Sequence, residues 1–253
     1  MGSANPSPAP FFPRTRPPEI RAASYILLDA RTGATLASRN ADTIRPVAST
    51  QKILTALVVL DAGGLDRTVR VQTSDIRVEP TKLGVRPGEA YSRRELLYAF
   101  LVKSANDAAN VLARETAGSI PAFAARMNAK ARSLGATRSR FANPHGLTAS
   151  GNASTARDMA RIAMAAYRHP VIRDIVRRKY LGFHGRQLKN TNNLLGSMPE
   201  CNGMKTGYTV AAGRCLISTA HNGRRDVILV QLGTKTRYIW DDARAMMSWG
   251  LGQ

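Results

Sequence analysis

At 253 residues, 43% of them hydrophobic, the chain can build one domain of ordinary size around a substantial core. No apolar run approaches the roughly 20 residues of a membrane-crossing helix, and the start carries no basic-then-apolar targeting signal. A formal net charge of +20 first suggests nucleic acid, but the basic residues are scattered. Their densest run, Arg173 to Lys179, has no stacking aromatics interleaved. An anionic envelope polymer or a phospholipid surface would attract the same charge, and a solvated surface needs no partner at all.

Residues 1–20 read as a Pro-rich tether without a hydrophobic pattern. A β-hairpin follows, with strands at Tyr25–Leu28 and Thr35–Ala37 around the turn Arg31-Thr32-Gly33. Arg45-Pro46 closes a loop. From Ser49 the period becomes helical, with Ile53, Leu54, Leu57, Val58 and Val59 on a broad apolar face ended by Gly63-Gly64. Ser92 and Glu95 form a capping box for a helix that buries Leu96, Leu97, Phe100 and Leu101. Ser104-Ala105-Asn106-Asp107 breaks that helix, and another runs over 108–116. Further helices are expected over Pro121–Ser133 and over Thr155–Tyr167, the latter capped by Ser154 and stopped at His169-Pro170. Strands return at Gly203–Thr209, Gly213–Ala220 and Asp226–Leu232, the last two joined through Asn222-Gly223, before an amphipathic helix over Trp240–Trp249. Strands at both ends with helices between them define an α/β fold, an antiparallel sheet flanked by helices with an inserted helical lobe. The sheet lobe would comprise about 21–62 and 180–253, the helical lobe about 63–179, with a cleft between them.

Three motifs carry chemistry: Ser49-Thr50-Gln51-Lys52, Ser104-Ala105-Asn106 and Lys205-Thr206-Gly207. Singly they are weak, since Ser-x-x-Lys is expected by chance about once in a chain of this length. Their order and local structure make the case. Residues three apart share a helix face, so Lys52 reaches the Ser49 hydroxyl at a helix start, where free N–H groups favour developing negative charge. To act as a base Lys52 must be neutral, and burial beside the second cation Lys205 pushes it that way. Ser104, at the helix break, is placed to relay a proton, and Asn106 to hold a substrate amide. Both residue types also serve as plain helix caps. On its strand, Lys205-Thr206 can bind a carboxylate, and Gly207 lets a substrate backbone lie close. The N–H groups of Ser49 and Tyr208 would receive an oxyanion. A second Ser-x-Asn, Ser150-Gly151-Asn152, reads as loop chemistry. Cys201 and Cys215 flank the third motif and read either as a disulfide across a hairpin or as two buried thiols, without metal-ligand spacing. His145 reads as structural. His169, His184 and His221 have no acidic partner at a suggestive spacing, so a Ser-His-Asp reading has no support.

With these motifs and Leu28-Asp29-Ala30-Arg31-Thr32-Gly33, Val85-Arg86-Pro87-Gly88, Asn143-Pro144-His145-Gly146-Leu147, Ser154-Thr155-Ala156-Arg157-Asp158-Met159 and Asn190-Thr191-Asn192, the chain resembles the D-alanyl-D-alanine carboxypeptidases, the low-molecular-mass penicillin-binding proteins, from about Ala23 to Gly250. The resemblance implies the penicillin-binding-protein/β-lactamase-like transpeptidase fold. It implies acylation of Ser49 by a peptidoglycan stem peptide ending in D-Ala-D-Ala, release of D-alanine, hydrolysis of the acyl-enzyme, and covalent inhibition by β-lactams. It implies no cofactor or metal, no nucleic acid, and work in the periplasm or on the outer face of a bacterial membrane. There a Cys201–Cys215 bridge gains credibility.

Two departures from the family stand out. The β-domain and amphipathic anchor that many relatives carry would lie beyond Gln253, and the short form also resembles the family's D,D-endopeptidases. Relatives often place a carboxylate-binding arginine just before the last helix, where this chain has Ile239; Arg237 is the nearby candidate to substitute. Two rivals remain. A serine β-lactamase needs a carboxylate that activates the deacylating water, and no Glu-x-x-Leu-Asn segment occurs between Asn106 and Lys205. A non-catalytic wall-binding protein would form no penicillin adduct.

Overall fold

In the computed structural model the described residues run from 11 to 252. After the hairpin of β1 (Ser24–Asp29) and β2 (Thr35–Arg39), a 3-10 turn at Ala48–Gln51 leads into α1 (Lys52–Asp61). A short ladder of β3 (Thr68–Arg70) and β4 (Ala90–Ser92) precedes α2 (Arg93–Lys103), α3 (Asn106–Ala117), α4 (Ile120–Ser133), α5 (Ala156–Arg168) and α6 (Pro170–Val176). The hairpin β5 (Tyr180–Phe183) and β6 (Arg186–Lys189) follows, then β7 (Cys201–Thr209), β8 (Gly213–His221), β9 (Asp226–Thr234) and α7 (Ile239–Leu251).

The main sheet has the order β2-β1-β9-β8-β7, and every pairing is antiparallel. Because side chains alternate along a strand, neighbouring residues feed two different cores. Ile26, Leu28, Ile228 and Val230 pack with α1 and α5 on one face. Tyr25, Leu27, Val227 and Leu229 pack with Ile239, Met246, Met247 and Leu251 of α7 on the other. Burial of each such side chain contributes about 1.5–3 kcal/mol. The β7 strand lies at an edge of the sheet, so one side of its backbone is free to face a cleft.

The expected capping box is present, with the Ser92 hydroxyl accepting from Glu95 N and the Glu95 carboxylate accepting from Ser92 N. Several expectations are corrected. Thr155, not Ser154, caps α5 by accepting from Asp158 N at 3.0 Å, while the Ser154 hydroxyl pairs with that of Ser139. The first half of the 1–20 tether lies outside the described residues. The second half is packed on the domain: Ile20 is buried, the Arg225 guanidinium covers the Phe11 ring, and Trp249 Nε1 donates to the Thr15 carbonyl.

The cysteines form no bridge. Cys201 is paired with Ala220 while Cys215 faces Gly207. Five register steps on adjacent strands amount to about 17 Å, far beyond disulfide reach. The basic run 173–179 does meet aromatics outside the run itself: Arg173 lies over Tyr167, Arg178 over Tyr98 and Lys179 over its neighbour Tyr180. Helix α6 and the four strands β3 to β6 were not legible in the sequence, being too short to show a period. Strands β5 and β6 turn through His184 and Gly185, both at positive φ, as a two-residue hairpin turn requires.

Candidate active site

The 3-10 turn carries Ser49, and Lys52 follows at the first position of α1, completely buried. Its amine lies 2.7 Å from Ser49 Oγ, 2.7 Å from Asn106 Oδ1 and 2.6 Å from the His145 carbonyl. All three partners are neutral. Without a carboxylate to offset the loss of water, burial drives the Lys52 pKa well below its ordinary value, and the charge of Lys205 pushes the same way. A neutral amine satisfies this set completely. Two N–H bonds go to Asn106 Oδ1 and the His145 carbonyl, leaving the lone pair for the Ser49 hydroxyl.

The turn is held from three sides. Gln51 Nε2 donates to the Asn143 carbonyl at 2.6 Å, and Asn152 Nδ2 donates to Gln51 Oε1 at 2.9 Å. Thr55 donates to the Pro144 carbonyl. Gly146, at φ +88°, lies so close that an added Cβ would meet the Ala48 carbonyl oxygen at 2.1 Å. The Asn143–Leu147 loop is thereby pressed on the Ser49 turn, which aims the His145 carbonyl at Lys52. The histidine ring does not share this role. Burial and the nearby Lys52 depress its pKa to about 3, so it stays neutral.

Ser104 caps α2 in the left-handed region, φ +63°, a conformation costly for a serine and often kept at functional sites. Its hydroxyl accepts from Lys205 Nζ at 2.8 Å. Asn106 opens α3 and is pinned from above, donating from Nδ2 to the carbonyls of Glu79 and Pro80 at 2.9 Å each. Those carbonyls belong to a loop anchored by Asp107, which accepts from Leu83 N and Gly84 N. The loop is fixed again by Asp75, which pairs with Arg114.

On β7, Lys205 is buried beneath the strand, also bonded to the Thr206 carbonyl, and burial lowers its pKa to about 7. Burial thus lowers both lysines, and Lys52 also feels the charge of Lys205. Thr206 Oγ1 meets Thr191 Oγ1 at 2.6 Å. Gly207 is required by close packing: a Cβ there would lie 2.8 Å from Ser49 N and 3.0 Å from Thr50 N. A cavity of about 350 Å³ runs along this edge, lined among others by Ser49, Ser104, Asn106, Thr206, Tyr208 and Arg214.

The structure thus brings Ser49, Lys52, Ser104, Asn106, Lys205, Thr206, Gly207 and Tyr208 together. Arg237 stands apart, exposed, with its guanidinium on the Tyr238 ring. Sequence reasoning gave no role to the His145 carbonyl, Thr191 or Arg214, although the first two lie in segments quoted for the family resemblance. His184 and His221 do have acidic partners, Glu95 and Asp226, each at 3.1 Å, but neither lines this cavity. The second Ser-x-Asn is confirmed as loop, with Asn152 bracing Gln51.

A serine hydroxyl 2.7 Å from a buried lysine amine, on an antiparallel sheet of this order, is the arrangement of a serine peptidase of the penicillin-binding type. The chain belongs to the peptidase S11, D-alanyl-D-alanine carboxypeptidase, family, whose model matches residues 13–236. It is 40% identical over 245 residues to the D-alanyl-D-alanine carboxypeptidase DacB2 of Mycobacterium tuberculosis, covering 92% of this chain and 83% of that one. It is 35% identical over 259 residues to a D-alanyl-D-alanine endopeptidase of Pseudomonas aeruginosa, covering 98% and 82%. The solved structure of a D-alanyl-D-alanine carboxypeptidase from Mycobacterium tuberculosis superposes with a TM-score of 0.90 at 35% identity, covering 96% of each chain.

Proposed function

We propose that this chain is a serine D,D-carboxypeptidase that removes the terminal D-alanine from peptidoglycan stem peptides on the outer side of a bacterial cytoplasmic membrane. The observation that carries the reading is the 2.7 Å contact between Ser49 Oγ and a fully buried, counter-ion-free Lys52 amine. Ser49 Oγ attacks the carbonyl of the penultimate D-alanine while its proton passes to Lys52 Nζ. The N–H groups of Ser49 and Tyr208 receive the oxyanion. Ser104, in contact with Lys205, hands a proton to the departing amine of the terminal D-alanine as the C–N bond breaks. The protonated Lys52 restores the Ser104 proton, and water then attacks the acyl-enzyme, giving up a proton to the again neutral Lys52, which returns it to Ser49 Oγ as the ester C–O bond breaks. Thr206, Gly207 and Asn106 line the substrate's path. A β-lactam carbonyl would enter the same sequence and stop at the acyl-enzyme.

A second reading is D,D-endopeptidase activity on crosslinks. It is favoured by a further open space of about 940 Å³, flanked by Arg77, Glu79, His145 and Val210, that meets the first cavity at Leu147 and Tyr208. Intact mass after penicillin should show one adduct on the wild type and none on Ser49→Ala. Incubation with pentapeptide monomers and crosslinked dimers then separates the two readings: free D-alanine from monomers supports the first, and monomers released from dimers support the second. No adduct and no cleavage of either would refute both.

A further inference from the structure

The cavity beside Ser49 has one charged side chain among its described lining residues, and it is neither lysine of the motifs. Lys52 and Lys205 are at most 1% exposed and lie behind the cavity wall, spent on Ser49, Asn106, Ser104 and backbone carbonyls. Arg214, on β8, does line it. Register pairs Arg214 with Tyr208, so the arginine stands beside the residue assigned above to the oxyanion. Its Nε donates to Thr236 Oγ1 at 3.0 Å and its Cζ lies 4.5 Å from the Tyr208 ring centroid. No described carboxylate pairs with it, and its two Nη groups donate to no described residue. The other wall, at Ile239 and Trp240, is apolar there and offers no cation.

We infer that Arg214 is the residue that binds the free C-terminal carboxylate of the substrate and so sets the preference for a chain end over an internal bond. This rests on the D,D-peptidase reading above. A guanidinium held at Nε by one hydroxyl and stacked on a ring has lost most of its rotamer freedom beforehand. Its open Nη edge matches the planar, two-oxygen geometry of a carboxylate. Thr206 and Thr191 add a pair of hydroxyls to the lining of the same cavity. The arginine is supplied by the strand next to the substrate edge and not by the approach to α7, where Ile239 is buried.

The test compares wild type, Arg214→Gln, Arg214→Lys and, as a charge-matched control, the exposed Arg132→Gln. The substrates are a peptide ending in D-Ala-D-Ala as the free acid and the same peptide as its C-terminal amide. Labelling with saturating penicillin, read by intact mass, counts folded active sites in each preparation. The wild type and Arg132→Gln should favour the acid. Arg214→Gln should lose about ten- to hundredfold in kcat/KM on the acid, the range spanned by a charge-assisted hydrogen bond, chiefly through KM. It should change little on the amide, so that the preference collapses, and Arg214→Lys should recover part of it. A preference retained in Arg214→Gln, or one lost instead in Arg237→Gln, overturns the inference while leaving the peptidase reading intact. A wild type that cleaves neither peptide and takes no penicillin adduct overturns both.

Discussion

The molecule holds its cations in two opposite ways. On the surface, arginines stand against carboxylates: Arg157 with Asp42 and Arg94 with Asp66. There the pKa of each partner moves to favour charge, upward for Arg157 and downward for Asp42. In the floor of the cleft, Lys52 and Lys205 are buried against serine, asparagine and backbone oxygens, and both move the other way. The same kind of group is fixed as an ion by a counter-ion in water and stripped of its proton by burial without one. The Ser49 hydroxyl meets only the second arrangement.

The largest expected effect comes from abolishing that contrast in the cleft. Lys52→Arg keeps a cation that cannot be deprotonated, and acylation by penicillin should slow by about 10²–10⁴-fold, the usual share of a general base. Stopped-flow or quenched mass measurements would read it, and a rate within a few-fold of wild type would break the comparison. Next comes the geometry that brings the motifs together. Gly207→Ala forces a Cβ into the Ser49 and Thr50 backbone, and a displacement of about 1 Å there should cost on the order of 100-fold in kcat/KM. An unchanged rate would show that the turn yields freely. The smallest effect lies at the surface. Asp42→Asn should change unfolding free energy by less than about 0.5 kcal/mol in denaturant titrations. Because the folded Asp42 pKa is lowered, that contribution exists above the unfolded value and disappears as pH falls through the folded one. A cost of several kcal/mol would place this pair in the class of the buried groups.

Much of the cleft was legible because its parts are local. Ser49 and Lys52 share a turn, Ser104 and Asn106 share a helix break, and Lys205 to Tyr208 share a strand, so short spacings record them. The sheet's long strands and the longer helices also declare themselves by period. What was illegible depends on contacts between distant segments. Nothing near Lys52 in sequence announces that the His145 carbonyl completes its hydrogen bonds, or that Glu79 and Pro80 occupy the Asn106 amide. The cysteines look like a pair until the register of β7 on β8, with its irregularity between Cys201 and Gly203, sets them apart. Arg214 was invisible for the same reason, since its place beside Tyr208 is a property of strand pairing.

The central claim is that Lys52 works as an uncharged base, and the pH dependence of the Ser49 acylation rate tests it most directly. With its pKa held far below 10.5, Lys52 is already neutral at alkaline pH. The rate should therefore stay level as pH rises toward the ordinary lysine value and fall on the acid side as Lys52 takes up a proton. A rate that instead climbs about tenfold per unit toward the ordinary lysine value near 10.4 would contradict the account.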